Sequence, residues 1–156
     1  MGVSGSGKST IGHRVADALR VPFFDGDAFH DAASIERMRR GIALDDAARA
    51  PWLDRLHEVL LDHREHGAVM ACSALTAAYR THLAHGLDVA FAMLDVPREV
   101  LADRLRRRHG HFAGPDLLAS QLATLELGPD VDVIDADRPP SEVAADVVAV
   151  VTRRAR

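Results

Sequence analysis

The first residues of the chain form a glycine-rich motif of the pattern G-x-x-x-x-G-K-[ST]. Its members, in order, are Gly2, Val3, Ser4, Gly5, Ser6, Gly7, Lys8 and Ser9. Backbone N–H groups in such a loop turn toward a bound anion, and the helix that follows adds the positive end of its dipole. We therefore predict that residues 2–10, ending at Thr10, bind the phosphates of a nucleoside triphosphate.

Lys8 and Ser9 supply the charged and the metal-binding group of this motif. Lys8 is the only lysine, since every other member of the 19 lysines and arginines is arginine. Its compact ammonium can reach the terminal phosphates, and the Ser9 hydroxyl can ligate the Mg²⁺ that those phosphates carry. The motif thus predicts a phosphate site with a metal beside it.

Two carboxylates follow the next apolar run. Residues 21–24 predict a short buried strand, and Asp25 and Asp27 flank a glycine at its carboxyl end. We expect Asp25 to join the Mg²⁺ shell and Asp27 to act as general base toward a substrate hydroxyl. The alternative is an Asx turn or a helix-capping pair. His30 either binds a substrate hydroxyl or simply lies near a helix start.

An arginine cluster predicts a lid. Arg104, Arg107 and Arg108 share one side of a predicted helix, just before a glycine-containing break at 109–115. Arginines on a mobile segment can clamp phosphates and stabilise charge in the transition state. We expect Arg104 and Arg108 to do so from a lid at approximately 104–126, and a solvated helix face is the alternative.

Helical and strand patterns alternate along the whole chain. Helices are predicted directly after the loop, at 34–41, from Pro51 to near Gly67, and at 76–85, 97–108, 115–127 and 143–151; strands are predicted at 21–24, 68–72, 89–94 and 131–134. This alternation predicts one α/β domain over 1–156, a three-layer α/β/α sandwich with a parallel sheet and ligands at the carboxyl ends of its strands.

The phosphate loop lacks most of the strand that normally precedes it, because only Met1 stands before Gly2. Such a strand lies in the middle of a parallel sheet. We therefore expect the first strand to be largely missing and its two neighbours to carry unpaired backbone groups.

Composition limits the classes of partner. The chain has 156 residues, 47% hydrophobic, and a net charge of −4, which argues against nucleic-acid binding. It has neither an apolar run of membrane-spanning length nor a secretory signal, so we expect no membrane partner and a cytoplasmic location.

The single cysteine and three histidines of one helix are expected to be structural. Cys72 is predicted to be a small core residue. His57, His63 and His66 are predicted to be solvated helix positions rather than a metal site.

Several motifs together resemble the small gluconokinase family. They are the phosphate loop, Asp25-Gly26-Asp27 with His30, Pro51-Trp52-Leu53, Cys72-Ser73-Ala74-Leu75 with Tyr79-Arg80, and Gly110-His111-Phe112. The resemblance covers nearly the whole chain. It implies a P-loop kinase fold like that of adenylate and shikimate kinases, ATP with Mg²⁺, transfer of the γ-phosphoryl group to the 6-hydroxyl of D-gluconate, and a possible homodimer.

The resemblance also implies residues of the acceptor site. It places Ser73, Arg49 and Arg80 near the acceptor, where a sugar acid needs a cation for its carboxylate, and an arginine fork can pair both carboxylate oxygens. Departures from the family pattern, on the acceptor side, are Asp31, Ser34, Ala43 and Ala48. Two alternatives therefore stay open: a kinase of another small hydroxy acid such as shikimate, and a nucleotide-binding regulatory module without catalysis.

Overall fold

Helices and strands alternate in the computed structural model, which describes residues 1–107 and 115–154. The helices are α1 (Lys8–Leu19), α2 (Ala32–Arg39), α3 (Asp46–Asp62), α4 (Ala77–Leu83), α5 (Arg98–Arg107), α6 (Pro115–Thr124) and α7 (Pro140–Arg154). The strands are β1 (Phe23–Asp25), β2 (Val69–Ala71), β3 (Phe91–Asp95) and β4 (Val131–Asp135), and a 3₁₀ turn, Gly26–Phe29, follows β1. The predicted α/β alternation is confirmed.

The strands form two parallel pairs. In β1 and β2, Phe23 lies opposite Val69, and in β3 and β4, Phe91 lies opposite Val131. Within the described ranges no strand joins β2 to β3. The carboxyl ends of β1 and β2 are in register, which brings Asp25 beside Ala71 at one edge of the sheet.

Residues 1 and 2 sit between the two pairs. The Met1 amino group donates to the Ala92 carbonyl at 2.5 Å, and the Leu94 N–H donates to the Met1 carbonyl at 3.0 Å. On the other side, the Gly2 N–H donates to the Ser73 carbonyl at 3.3 Å. Met1 and Gly2 therefore occupy the end of a central strand position, as the sequence predicts.

Two apolar clusters cover the two sides of the strands and define the outer layers. One cluster joins α1, α5, α6 and α7 through residues such as Val15, Leu101, Leu118 and Val143. The other joins α3 and α4 and contains Leu56, Leu83 and Cys72, among others. Cys72 is buried, as predicted from its place at the end of an apolar run.

Helix α3 begins five residues before the predicted start. Asp45 is its N-cap, and the Asp45 side chain accepts from the Ala48 N–H at 2.8 Å. Pro51 lies inside the helix instead of at its first position, where its missing N–H would cost nothing. The prediction was wrong because the cap at Asp45 sets the start and the helix tolerates the proline.

No helix among the described residues combines the length and the apolar character required to cross a membrane.

Candidate active site

The phosphate loop has the backbone conformation that its glycines predict. Gly2, Gly5 and Gly7 have φ angles of 139°, 85° and 94°, a region that side-chain-bearing residues rarely adopt. Helix α1 starts directly after Gly7 and has no side-chain cap from the part of the chain that is described. Its first N–H donors can therefore serve phosphate oxygens.

Lys8 and Ser9 make hydrogen bonds in two different directions: Lys8 to the phosphate loop and Ser9 to the end of β1. The Lys8 Nζ donates to the Val3 carbonyl at 2.9 Å, which folds the ammonium back over the loop. The Ser9 hydroxyl donates to the Asp25 Oδ2 at 2.6 Å. A hydroxyl and a carboxylate are oxygen ligands that suit Mg²⁺, so this pair fits the metal that the sequence predicts.

Asp25 also has the local role that the sequence left open. Its Oδ1 accepts from the Asp27 N–H at 3.1 Å, so Asp25 caps the 3₁₀ turn that follows β1. One carboxylate thus orients both Ser9 and the turn that carries Asp27. The capping and the functional interpretation of this pair are compatible.

A small cleft of about 40 Å³ lies beside the loop. We call it the polar cleft; it is lined by Ser4, Lys8, Asp27, His30, Met38, Leu44, Arg49, Trp52, Ser73 and Gln121. Six of these were predicted as site residues from the sequence, namely Ser4, Lys8, Asp27, His30, Arg49 and Ser73. They come from four separate stretches of the chain, so it is the fold that brings them together.

His30 is held against the wall of the polar cleft. Its ring stacks on Trp52 with centroids 4.6 Å apart and planes 6° apart. The Trp52 Nε1 donates to the Gly26 carbonyl at 2.8 Å, which fixes the indole. Burial lowers the pKa of His30 against the opposing effect of Asp27 and Asp31. The imidazole is therefore mainly neutral at pH 7.

Arg49 enters the polar cleft from α3 and is anchored on α4. Its Nη1 donates to the Tyr79 hydroxyl oxygen at 2.9 Å, and its guanidinium carbon lies 5.3 Å from the centre of that ring. The Tyr79 hydroxyl in turn donates to Asp46 Oδ1 at 2.5 Å. This arrangement presents a cation at the cleft.

Arg80 does not line the polar cleft, which corrects its expected role at the acceptor. Its side chain is 1% exposed, and its Nε donates to Asp130 Oδ2 at 2.5 Å. Its Nη1 donates to the carbonyls of Ala74 and Glu126 at 3.2 and 2.9 Å. Neighbouring helix residues point about 100° apart. Arg80 therefore turns away from the Tyr79 side and ties α4 to the segment before β4.

The arginines of α5 divide between the loop and solvent. Arg104 Nη1 donates to the Gly5 carbonyl at 3.3 Å, and Arg104 also pairs with Asp137 at 3.7 Å. Arg107 is 79% exposed and pairs with Asp103. Arg108 and the Gly110-His111-Phe112 motif lie outside the described residues, so their place in a lid stays a prediction.

Gln121 is a residue of the site that the sequence analysis missed. Its Oε1 accepts from the Ser4 N–H of the phosphate loop at 2.7 Å, and Gln121 lies on α6, 117 residues further along the chain. No local spacing marks such a contact. Met38 and Leu44, which add an apolar wall, were also missed because the sequence shows them as ordinary helix and loop residues.

The parallel α/β architecture and the phosphate loop define a P-loop kinase. Residues 4–151 match the family model described as shikimate kinase.

More specific likenesses come from individual proteins. The chain is 48% identical over 138 residues to a gluconokinase of Gluconobacter oxydans (strain 621H), covering 86% of this chain and 78% of that protein. It is similar in structure to a sugar kinase from Janibacter sp. HTCC2649, with a TM-score of 0.90, 43% identity, and 97% and 91% of the two chains covered. A gluconokinase from Sinorhizobium meliloti 1021 gives a TM-score of 0.85, 39% identity, and coverage of 98% and 89%. The chain belongs to the gluconokinase family.

Proposed function

We propose that this kinase transfers the γ-phosphoryl group of ATP to the 6-hydroxyl of D-gluconate, giving 6-phospho-D-gluconate and ADP. The observation that carries the proposal is the polar cleft beside the phosphate loop, which combines Lys8, Asp27 and Arg49. These are a cation for the phosphates, a carboxylate for the hydroxyl and a second cation for the acid. The gluconokinases among its relatives support gluconate as that acid.

Each side chain of the cleft has a distinct task in this proposal. Asp27 accepts the proton of the 6-hydroxyl as the hydroxyl attacks, and Lys8 stabilises the charge that develops on the phosphoryl oxygens. Arg49 pairs with the gluconate carboxylate through two parallel N–H bonds. His30, which is mainly neutral, and Ser73 form hydrogen bonds with hydroxyl groups of the sugar acid and add no charge.

Residues at the start of α1 and the end of β1 would hold the metal. Ser9 and Asp25, whose oxygens lie 2.6 Å apart, are the side chains that would do so. Bound Mg²⁺ would neutralise charge on the phosphates and orient them.

Two arginines would bind the same phosphates from the predicted lid. They are Arg104, which lies beside the Gly5 carbonyl, and Arg108. A cytoplasmic location and a homodimer stay predictions from the sequence.

The polar cleft must widen to admit its substrates. Its volume of about 40 Å³ is far below the several hundred Å³, roughly 300 or more, of ordinary small-molecule sites. Gln121 on α6 and Met38 on α2 lie on its walls, so displacement of these helices would enlarge it. Closure around substrate would then exclude water from the transferred phosphoryl group.

An acceptor panel in a coupled ADP-release assay tests this proposal. The panel contains D-gluconate, shikimate, other small hydroxy acids and a neutral sugar of similar size. We expect the highest kcat/KM for D-gluconate, and ³¹P NMR should place the phosphate at position 6. A higher kcat/KM for shikimate would support the alternative acid kinase, in line with the family model. Tight ATP binding without turnover of any acceptor would support a regulatory module.

A further inference from the structure

Three side chains form a hydrogen-bonded chain that ends in the polar cleft. Asp46 and Arg49 lie one turn apart on α3, and Tyr79 lies on α4. The Tyr79 hydroxyl donates to Asp46 at 2.5 Å and accepts from Arg49 at 2.9 Å. The phenol therefore uses both its donor and its acceptor capacity between these two residues.

We propose that Tyr79 and Asp46 are positioning residues that hold the Arg49 guanidinium in the orientation that binds the acceptor's carboxylate. This inference rests on the proposed function. It extends that function by adding two residues that do not line the polar cleft and yet set the affinity for the acid.

Tyr79 is a rigid anchor for this purpose. It is 9% exposed and belongs to the apolar cluster that also contains Trp52 and Leu83. An arginine side chain loses considerable rotamer freedom when it binds a ligand, and an anchor that restrains it beforehand reduces that loss. The ring beneath the guanidinium, 5.3 Å from its carbon, restrains it further.

Asp46 sets the direction of the phenol. Because its carboxylate takes the single hydroxyl proton, the lone pairs of the Tyr79 oxygen remain for Arg49. Burial, followed by the bond to Asp46, raises the pKa of Tyr79, so the hydroxyl keeps its proton over the working range of pH. The phenol also links carboxylate and guanidinium without a direct ion pair between them, which leaves the arginine charge to the acceptor.

The test removes the hydroxyl and keeps the ring. We expect Tyr79→Phe to raise KM for D-gluconate about tenfold, the effect of one lost bond to a charged group, with kcat and KM for ATP within about twofold. Asp46→Ala, at an exposed position, should give the same pattern. Asp46→Asn, which keeps an acceptor oxygen, should give a smaller rise. Asp62→Asn at the other end of α3 is the control and should leave KM unchanged.

A double-mutant cycle separates positioning from a purely structural bond between helices. In the Arg49→Ala background, Tyr79→Phe should no longer change KM for D-gluconate. If it raises KM as much as in the wild type, or raises KM for ATP equally, the positioning role is overturned while the proposed function stands. If Arg49→Ala itself leaves KM for D-gluconate unchanged, the carboxylate site of the proposed function fails, and this inference fails with it.

Discussion

Two openings in the described part of the chain border Lys8, and they differ in size and in chemistry. The polar cleft measures about 40 Å³ and gathers charged and polar side chains. The other opening, which we call the inter-strand cavity, measures about 750 Å³ and lies between β2 and β3, with Val69, Met70 and Phe91 among its mostly apolar lining. Lys8 borders both openings, whereas Asp27, His30 and Arg49 line the polar cleft and are not among the residues that line the inter-strand cavity.

We infer from this difference that convergence of polar groups, rather than volume, marks the candidate site. The inter-strand cavity is bordered by β2 and β3, which are not paired with each other in the described part of the chain, and Met1 hydrogen-bonds to Ala92 and Leu94 of β3. We therefore interpret the cavity as a determinant of stability and the polar cleft as the determinant of catalysis. Substitutions of catalytic residues should therefore leave stability nearly unaltered, and changes to the inter-strand cavity should leave catalysis unaltered.

The largest effect on catalysis should come from Lys8→Ala. The ammonium stabilises charge that grows during transfer, and loss of such a group typically costs about 10²–10³ in kcat or more. We expect turnover to be lost and the melting temperature to stay within about 2 °C, the change that follows from less than about 1 kcal/mol. A kcat near that of the wild type would contradict the role of this loop in phosphoryl transfer.

Substitution of Asp25 and substitution of Asp27 should change the kinetics in different ways. Asp27→Asn keeps the size of the side chain but removes the base, so kcat should fall by about 10² or more with ATP affinity almost unchanged. Excess Mg²⁺ should not restore the kcat of Asp27→Asn.

Asp25→Asn should instead raise the Mg²⁺ concentration needed for activity and be partly rescued by excess metal. Titration of Mg²⁺ against the rate of each variant is the measurement. Rescue of Asp27→Asn rather than Asp25→Asn would reverse the two assignments.

Arg49→Ala should act on the acid alone. Loss of a charged hydrogen-bonded pair should weaken the binding free energy of D-gluconate by about 2 kcal/mol, which raises its KM roughly thirtyfold. The KM for ATP should change little. Arg80→Ala is the informative contrast, because Arg80 is buried among structural partners. It should lower the melting temperature, and a selective rise in KM for D-gluconate from Arg80→Ala would restore its expected place at the acceptor.

A strand in the inter-strand cavity should stabilise the protein without changing its chemistry. About five apolar residues added before Met1 could pair with β2 and β3 and bury apolar surface, so the melting temperature should rise by several degrees, roughly 5 °C or more. A polar glycine–serine extension of the same length is the control. Equal melting temperatures for the two extensions would mean that the cavity does not accept a strand.

The pH dependence of stability should report on the same end of the cavity. Burial lowers the pKa of the Met1 amino group to about 6, although Met1 as a whole residue is partly exposed. Between pH 6 and 8 the unfolded chain binds the extra proton, so stability rises with pH there, by an amount of the order of 1–2 kcal/mol. The apolar extension replaces this amine by an amide and should remove that part of the slope in chemical denaturation. The same slope in both proteins would assign it to other groups.

The sequence predicts contiguous motifs of this molecule better than contacts between residues that are far apart in the chain. The phosphate loop and the pair Asp25 and Asp27 are contiguous motifs whose geometry follows from a few neighbouring residues, and the structure has them in the expected elements. Arg49 and Arg80 show the limit. Both are arginines in family-like motifs, but only packing on the rest of the fold decides that one lines the cleft and the other is buried.

Long-range contacts and competing local signals account for the other differences. The bond between Ser4 and Gln121 crosses most of the chain, so no spacing rule could reveal it. At the start of α3, Pro51 was the predicted starting signal, but the hydrogen bond from the Ala48 N–H to the Asp45 side chain caps the helix earlier. The position of Met1 between two strands was predictable because a phosphate loop ordinarily follows a central strand.

The most direct test of the account is a crystal structure with D-gluconate and a non-hydrolysable ATP analogue. The measured quantity is the distance between the Asp27 carboxylate and the 6-hydroxyl of the bound acid. We expect a hydrogen bond of roughly 2.6–3.2 Å, with the acid's carboxylate on Arg49. Gluconate bound in the inter-strand cavity, or in the polar cleft with its carboxylate away from Arg49, would contradict it.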